Sequence, residues 1–120
     1  MIGPSFQYAA RMLRVIDGDT YEVEVDLGFR IHHVIHVRLK DFDTAELRSS
    51  NPLEVAHARA AREFVDELLP PGAKLILLTA KLAIFNRWQA EVWYRSGDQD
   101  RSLAVVLASA GYAKQARTHD

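Results

Sequence analysis

Two short stretches gather acidic side chains: Val15-Ile16-Asp17-Gly18-Asp19-Thr20, and Val37-Arg38-Leu39-Lys40-Asp41-Phe42-Asp43-Thr44-Ala45-Glu46. Carboxylates brought close together repel one another unless a cation sits among them. Carboxylate and carbonyl oxygens suit a hard divalent ion, Ca²⁺ or Mg²⁺. A solvated acidic edge is the other reading, because Asp-Gly is ordinary turn chemistry in which Gly accepts φ > 0 and Asp bonds its own backbone. What separates the two readings is whether the fold carries Asp19 to Asp43, Thr44 and Glu46.

The elements that would do this are legible. Met12, Leu13, Val15 and Ile16 around Arg14 suit a first strand over 7–16. From Thr20 to Leu27 the chain alternates, with Tyr21, Val23 and Val25 on one face and Thr20, Glu22, Glu24 and Asp26 on the other, which predicts a half-buried strand. Leu27-Gly28-Phe29-Arg30 reads as a hairpin connection and Ile31 to Asp41 as the returning strand. Antiparallel pairing about this turn sets Asp19 across from roughly position 41. Asp43, Thr44 and Glu46 then reach the same end of the sheet as Asp19. Gly18 is expected to let the backbone turn so that Asp19 faces the incoming strand.

Further on, Asn51 before Pro52, with Glu54 shortly after, predicts a helix N-cap and first turn. Leu53, Ala56, Ala60, Phe64 and Leu68 recur at helical spacing as an apolar stripe, and Pro70-Pro71-Gly72 ends the helix. Lys74 to Ala80 and Gln89 to Tyr94 read as two more strands, the second closing on Ser96-Gly97-Asp98. Ser102 caps a last helix through Ala110, stopped by Gly111. The order β-β-β-α-β-β-α, mainly β with helices, predicts a single domain over 1–120: a five-stranded Greek-key barrel of the OB type.

Composition narrows the function. A chain of 120 residues, 48% hydrophobic, buries a sizeable core, and without cysteine it has no disulfide and no thiolate zinc or catalytic site. The net charge of −1 gives no global basic field, so any binding of polyanions has to be local. No apolar stretch approaches the roughly 20 residues that span a bilayer, and the N-terminus has no signal-peptide core, which predicts a cytoplasmic protein with no membrane partner.

The segments VIDGDT, VRLKDFDTAE, AIFNRWQAEVWY with Arg87 inside it, and LASAGYAK follow one another in this order. The series resembles the staphylococcal nuclease (thermonuclease-like) family from about Leu13 to Lys114. The resemblance implies an OB-fold barrel that hydrolyses phosphodiester bonds of DNA or RNA, single-stranded or flexible, with Ca²⁺. It further implies that the carboxylates of Asp19 and Asp43 and the backbone carbonyl of Thr44 hold the ion. Glu46 would position or deprotonate the attacking water, and Arg38 and Arg87 would hold the phosphate. In-line attack builds negative charge on the equatorial oxygens, which a divalent ion and two guanidiniums stabilise most in the transition state. Arginine suits that role because its planar fork meets two phosphate oxygens at once and stays charged. Two departures stand out. Ala45 occupies the place of a proline in the family pattern, which predicts a looser loop around Glu46, and Arg117-Thr118-His119-Asp120 stands where longer members present tyrosines.

His32, His33 and His36 lie on a strand, where a separation of four residues is about 13 Å, too long for one metal ion. They read as surface imidazoles, and His36, on the Arg38 face, as a minor substrate contact. Phe85, Trp88, Trp93 and Tyr94 surround Arg87; core packing is their default role, and Phe85 and Trp88 are the candidates for stacking on bases. A non-catalytic OB module that binds nucleic acid or a protein partner is the alternative function. Such a module has no evident need for Asp19, Arg38, Asp43, Glu46 and Arg87 together.

Overall fold

The computed structural model describes residues 6–84 and 87–114, and for 80–84 and 87 the backbone alone. The elements are β1 (Gln7–Asp17), β2 (Thr20–Asp26), β3 (His32–Leu39), α1 (Pro52–Leu68), β4 (Lys74–Ile84), β5 (Arg87–Ser96), β6 (Gln99–Ser102) and α2 (Leu103–Ser109). The strands follow the order β3-β2-β1-β4-β5-β6. A parallel pairing of Val37, Arg38 and Leu39 with Trp88, Gln89 and Ala90 closes the first five into an OB-like barrel.

Period-2 alternation fills the barrel. Met12, Tyr21, Val23, Val37, Leu75, Leu77 and Val92 point inward and are fully buried, joined by Val65 of α1 and by Leu103 and Leu107 of α2. Each such side chain contributes about 1.5–3 kcal/mol of transfer free energy. Among the described residues no helix is long and apolar enough to cross a membrane.

The structure corrects the sequence reading in four places. A sixth strand, β6, pairs with β5 through Trp93–Ser102 and Ser96–Gln99. Its residues Gln99-Asp100-Arg101-Ser102 are polar and largely exposed, so backbone pairing rather than apolar alternation makes it a strand.

The β2–β3 connection is one residue longer than expected, running over 27–31. Gly28, Phe29 and Arg30 all take positive φ (78, 54 and 62), and Leu27 N–H donates to the Ile31 carbonyl at 2.9 Å. Strand β3 therefore begins at His32 and ends at Leu39. Thr20 faces Arg38, and the Leu39 N–H donates to the Asp19 carbonyl at 2.9 Å.

Helix α1 starts as expected, with the Asn51 side chain accepting from Leu53 N–H at 3.0 Å, while Glu54 takes the Ser49 hydroxyl at 2.7 Å. Its buried residues, however, are Ala58, Ala61 and Val65, and Leu53 is 81% exposed. An alanine-rich helix offers more than one apolar stripe, and contact with β1 selects the one that is used.

Gly18, finally, does not need a left-handed backbone, since its φ lies outside that region. A Cβ there would lie 2.8 Å from the Ala61 Cβ and 2.9 Å from Thr44 Oγ1, so the glycine is demanded by space. It lets α1 and the Thr44 loop close over the turn, and the Tyr21 hydroxyl fixes that turn from inside by donating to the Gly18 carbonyl at 2.5 Å.

Candidate functional site

At the end of the barrel where β1 turns into β2 and β3 leaves the sheet, a cavity of about 640 Å³ opens. Asp19, His36, Arg38, Asp43, Thr44 and Glu46 all line it. The β1–β2 turn supplies Asp19, β3 supplies His36 and Arg38, and the loop after β3 supplies the rest. Asp41, with φ 57, bends that loop back toward Asp19.

Asp19 is 7% exposed. Its Oδ2 accepts from the Thr44 N–H at 3.1 Å and its Oδ1 from the Thr20 hydroxyl at 3.1 Å. Burial raises its pKa from the ordinary Asp value, and these hydrogen bonds and the Arg38 charge only partly offset the rise. The cost of burying this charge is thus only partly met by Arg38. Because its folded-state pKa is raised, its contribution to stability is full below the unfolded pKa and is lost as pH rises through the folded value. Asp19→Asn, which keeps an oxygen for the Thr44 amide, is therefore expected to raise the melting temperature at neutral pH, with the gain shrinking in acid. Thermal scans across pH in chelator measure this, and an unchanged or lower melting temperature at pH 7 contradicts it.

The nearest cation to Asp19 is Arg38. One guanidinium nitrogen, Nη2, lies 3.8 Å from Asp19 Oδ2 and also hydrogen-bonds Asp43 Oδ1. Partial burial works against the Arg38 charge, but pairing with Asp43 and the field of Asp19 outweigh it and raise its pKa. Two carboxylates from distant segments thus converge on a single positive group. Glu46 stands at the rim, 68% exposed, with Oε1 3.3 Å from Lys114 Nζ.

The carboxylate oxygens of Asp19 and Asp43 are hard donors of the kind Ca²⁺ takes, and in this structure both are turned on the Arg38 guanidinium. Among the described residues no three His, Cys, Asp or Glu side chains form a group that could hold a metal ion. The Thr44 hydroxyl is buried without a hydrogen-bond partner among the described residues, turned toward Gly18.

Other expected participants lie elsewhere. Trp88 is 38% exposed on β5, and it does not line the cavity. The Arg87 backbone pairs with Ile84, one residue before the partner of Val37, and its side chain lies outside the described residues, as does all of Phe85. His36 Nε2 is 3.0 Å from Glu22 Oε2, and this hydrogen bond, outweighing slight desolvation, lowers the Glu22 pKa.

Sequence reasoning missed Arg14, Arg48 and Lys114, which also line the cavity. Lys114 sits within the quoted LASAGYAK, so its place in that segment was the one available signal. It is a fastener as well as a cation, since its N–H donates to the Asp43 carbonyl at 2.7 Å. The segment carrying it is anchored on α1, where Tyr112 stacks on His57 at 5.6 Å and His57 Nε2 bonds the Gly111 carbonyl at 3.1 Å. These bonds hold the loop that carries Ala45, which is itself buried. Compared with known proteins, the chain matches no family model and no curated sequence.

Proposed function

We propose that this chain is a Ca²⁺-dependent nuclease of the staphylococcal nuclease type, hydrolysing phosphodiester bonds of single-stranded or flexible DNA or RNA. The observation that carries the reading is the convergence of Asp19 and Asp43 on Arg38 in a cavity whose rim holds Glu46. Asp19, Asp43 and the Thr44 carbonyl hold Ca²⁺, which when bound supplies Lewis-acid stabilisation of the charged phosphoryl group. Arg38 meets the phosphate oxygens, with Arg87 as a second guanidinium in the same reading. Glu46 takes the proton of the attacking water, and its exposure leaves it open to solvent.

A non-catalytic OB module that binds nucleic acid or a protein is the second reading. The ion pair between Lys114 and Glu46 favours it, because it gives Glu46 a structural occupation.

Incubating the purified chain with end-labelled single-stranded DNA and RNA, in Ca²⁺ and in chelator, decides between them. The nuclease reading expects products in Ca²⁺ alone. A folded protein that leaves both strands intact in Ca²⁺ overturns it in favour of the binding module.

A further inference from the structure

Strand β3 is paired along only part of its outer side. Its register with β2 runs unbroken from Thr20–Arg38 to Asp26–His32. In such a ladder successive residues turn their backbone N–H and C=O groups to opposite sides. The Ile31 carbonyl accepts from Leu27 and the Leu39 N–H donates to Asp19, both toward β2, whereas the Lys40 N–H crosses to the Ala90 carbonyl of β5 at 3.0 Å. Odd residues of β3 therefore bond to β2, and even residues face away from it. Pairing with β5 covers 37–39. Among the described residues no strand lies beside the outward N–H and C=O groups of His32 and Val34.

This edge is unguarded. Lysine, proline or a bulge usually blunts an edge strand. Residues 31–35, Ile-His-His-Val-Ile, contain no Lys, Arg, Asp, Glu or Pro, and their register shows no bulge. The hairpin is also apolar at its surface, with Phe29 96%, Ile31 54% and Val34 51% exposed. Glu24 and Glu22, opposite Val34 and His36 on β2, are paired with Arg11 and Arg14, so little net charge repels a like edge.

We propose that two copies of this chain associate edge to edge through residues 31–35, antiparallel about a two-fold axis at His33. The edge is complementary to itself in this register. His32 faces Val34 of the second copy and Val34 faces its His32, which gives all four of these residues' outward donors an acceptor. Ile31 meets Ile35 of the second copy on the barrel side, and this reciprocal apolar contact favours a second copy over an unrelated extended segment. The contact is short, well below the roughly 1,200 Å² of a stable complex, so the dimer dissociates on dilution. Arg38 lies five residues from the axis, which sets the two cavities about 33 Å apart at opposite ends of the joined strands. The association does not depend on what the cavity does.

Sedimentation velocity over a series of protein concentrations, beside hydrogen exchange at a low and a high concentration, is the test. The expected result is a monomer–dimer equilibrium in which the His32 and Val34 amides exchange freely when dilute and slowly when concentrated. Val34→Pro removes an outward N–H and leaves the ladder to β2 alone. It deletes two hydrogen bonds per dimer and is expected to raise the dissociation constant about 5- to 100-fold. Val34→Lys keeps every backbone N–H, places a charge on the edge and is expected to weaken the dimer as well, so the proposal stays testable if the proline variant misfolds. Val105→Lys, at a valine 62% exposed on α2, is the control and is expected to leave the equilibrium unchanged.

A monomer at every concentration overturns the proposal. So does a dimer in which the His32 and Val34 amides exchange as fast as in the monomer, or one that Val105→Lys weakens as much as Val34→Lys. Concentration-dependent protection of these two amides in the unmodified chain, together with loss of the dimer in Val34→Lys, upholds it.

Discussion

On the nuclease reading, replacing Glu46 with glutamine is expected to lower kcat for Ca²⁺-dependent cleavage about 10²- to 10⁴-fold, the usual worth of a general base. Glutamine has the same shape and still orients a water molecule, but its amide takes no proton at neutral pH. The fold is expected to be indifferent to the change. The side chain is 68% exposed, and its one ion pair among the described residues, to Lys114, is at the surface and worth at most about 1 kcal/mol. Steady-state kinetics beside a melting curve separate the two effects: a large loss in kcat with KM and melting temperature nearly constant places Glu46 in the chemical step. A variant that keeps wild-type kcat removes Glu46 from it.

Gly18→Ala is expected to cost about 1–3 kcal/mol of stability, the range for forcing a methyl group into a filled interior. The added Cβ would lie 2.8 Å from the Ala61 Cβ, which is fixed to the backbone of α1, and 2.9 and 3.0 Å from the Thr44 side chain. No flexible side-chain end is available to yield, so either the helix or the Thr44 loop must move. Adding Ala61→Gly removes the nearest of these contacts and is expected to restore part of the loss, although glycine inside a helix itself costs about 1 kcal/mol. Urea unfolding of the two single variants and the double variant measures the coupling. Full additivity of the two losses would show that the approach of α1 to the turn is not what position 18 responds to.

Much of this arrangement was legible in the sequence. Strand β2 shows its alternation plainly, and Asn51-Pro52 marks the start of α1 where it occurs. The β2 alternation, the turn after it and the spacing of the acidic stretches were enough to bring Asp43, Thr44 and Glu46 to the end of the sheet that holds Asp19, because a hairpin is a local structure whose register follows from its turn, while Arg38 was singled out by the resemblance alone. The turn itself was only partly readable. Phe29 and Arg30 adopt left-handed conformations that side-chain types other than glycine, asparagine and aspartate rarely signal.

Long-range packing accounts for the remainder. The buried stripe of α1 depends on where the helix lands, and Ala58 and Ala61 carry too little hydrophobicity to announce it. Strand β6 has no apolar pattern at all. Arg14, Arg48 and Lys114 reach the cavity from three separate segments, and only the closed barrel makes them neighbours.

The fastening of Glu46 by a residue 68 positions further along has a consequence in time. Contacts of such separation form late in folding, because loop-closure entropy opposes them until the intervening structure is in place. During synthesis the chain emerges from its N-terminus, so Asp19, Arg38 and Asp43 leave the ribosome well before Lys114 does. The acidic loop acquires its fixed shape only when the last described segment docks on α1. On the nuclease reading, a nascent chain stays unfinished as a catalyst until Lys114 has emerged and docked.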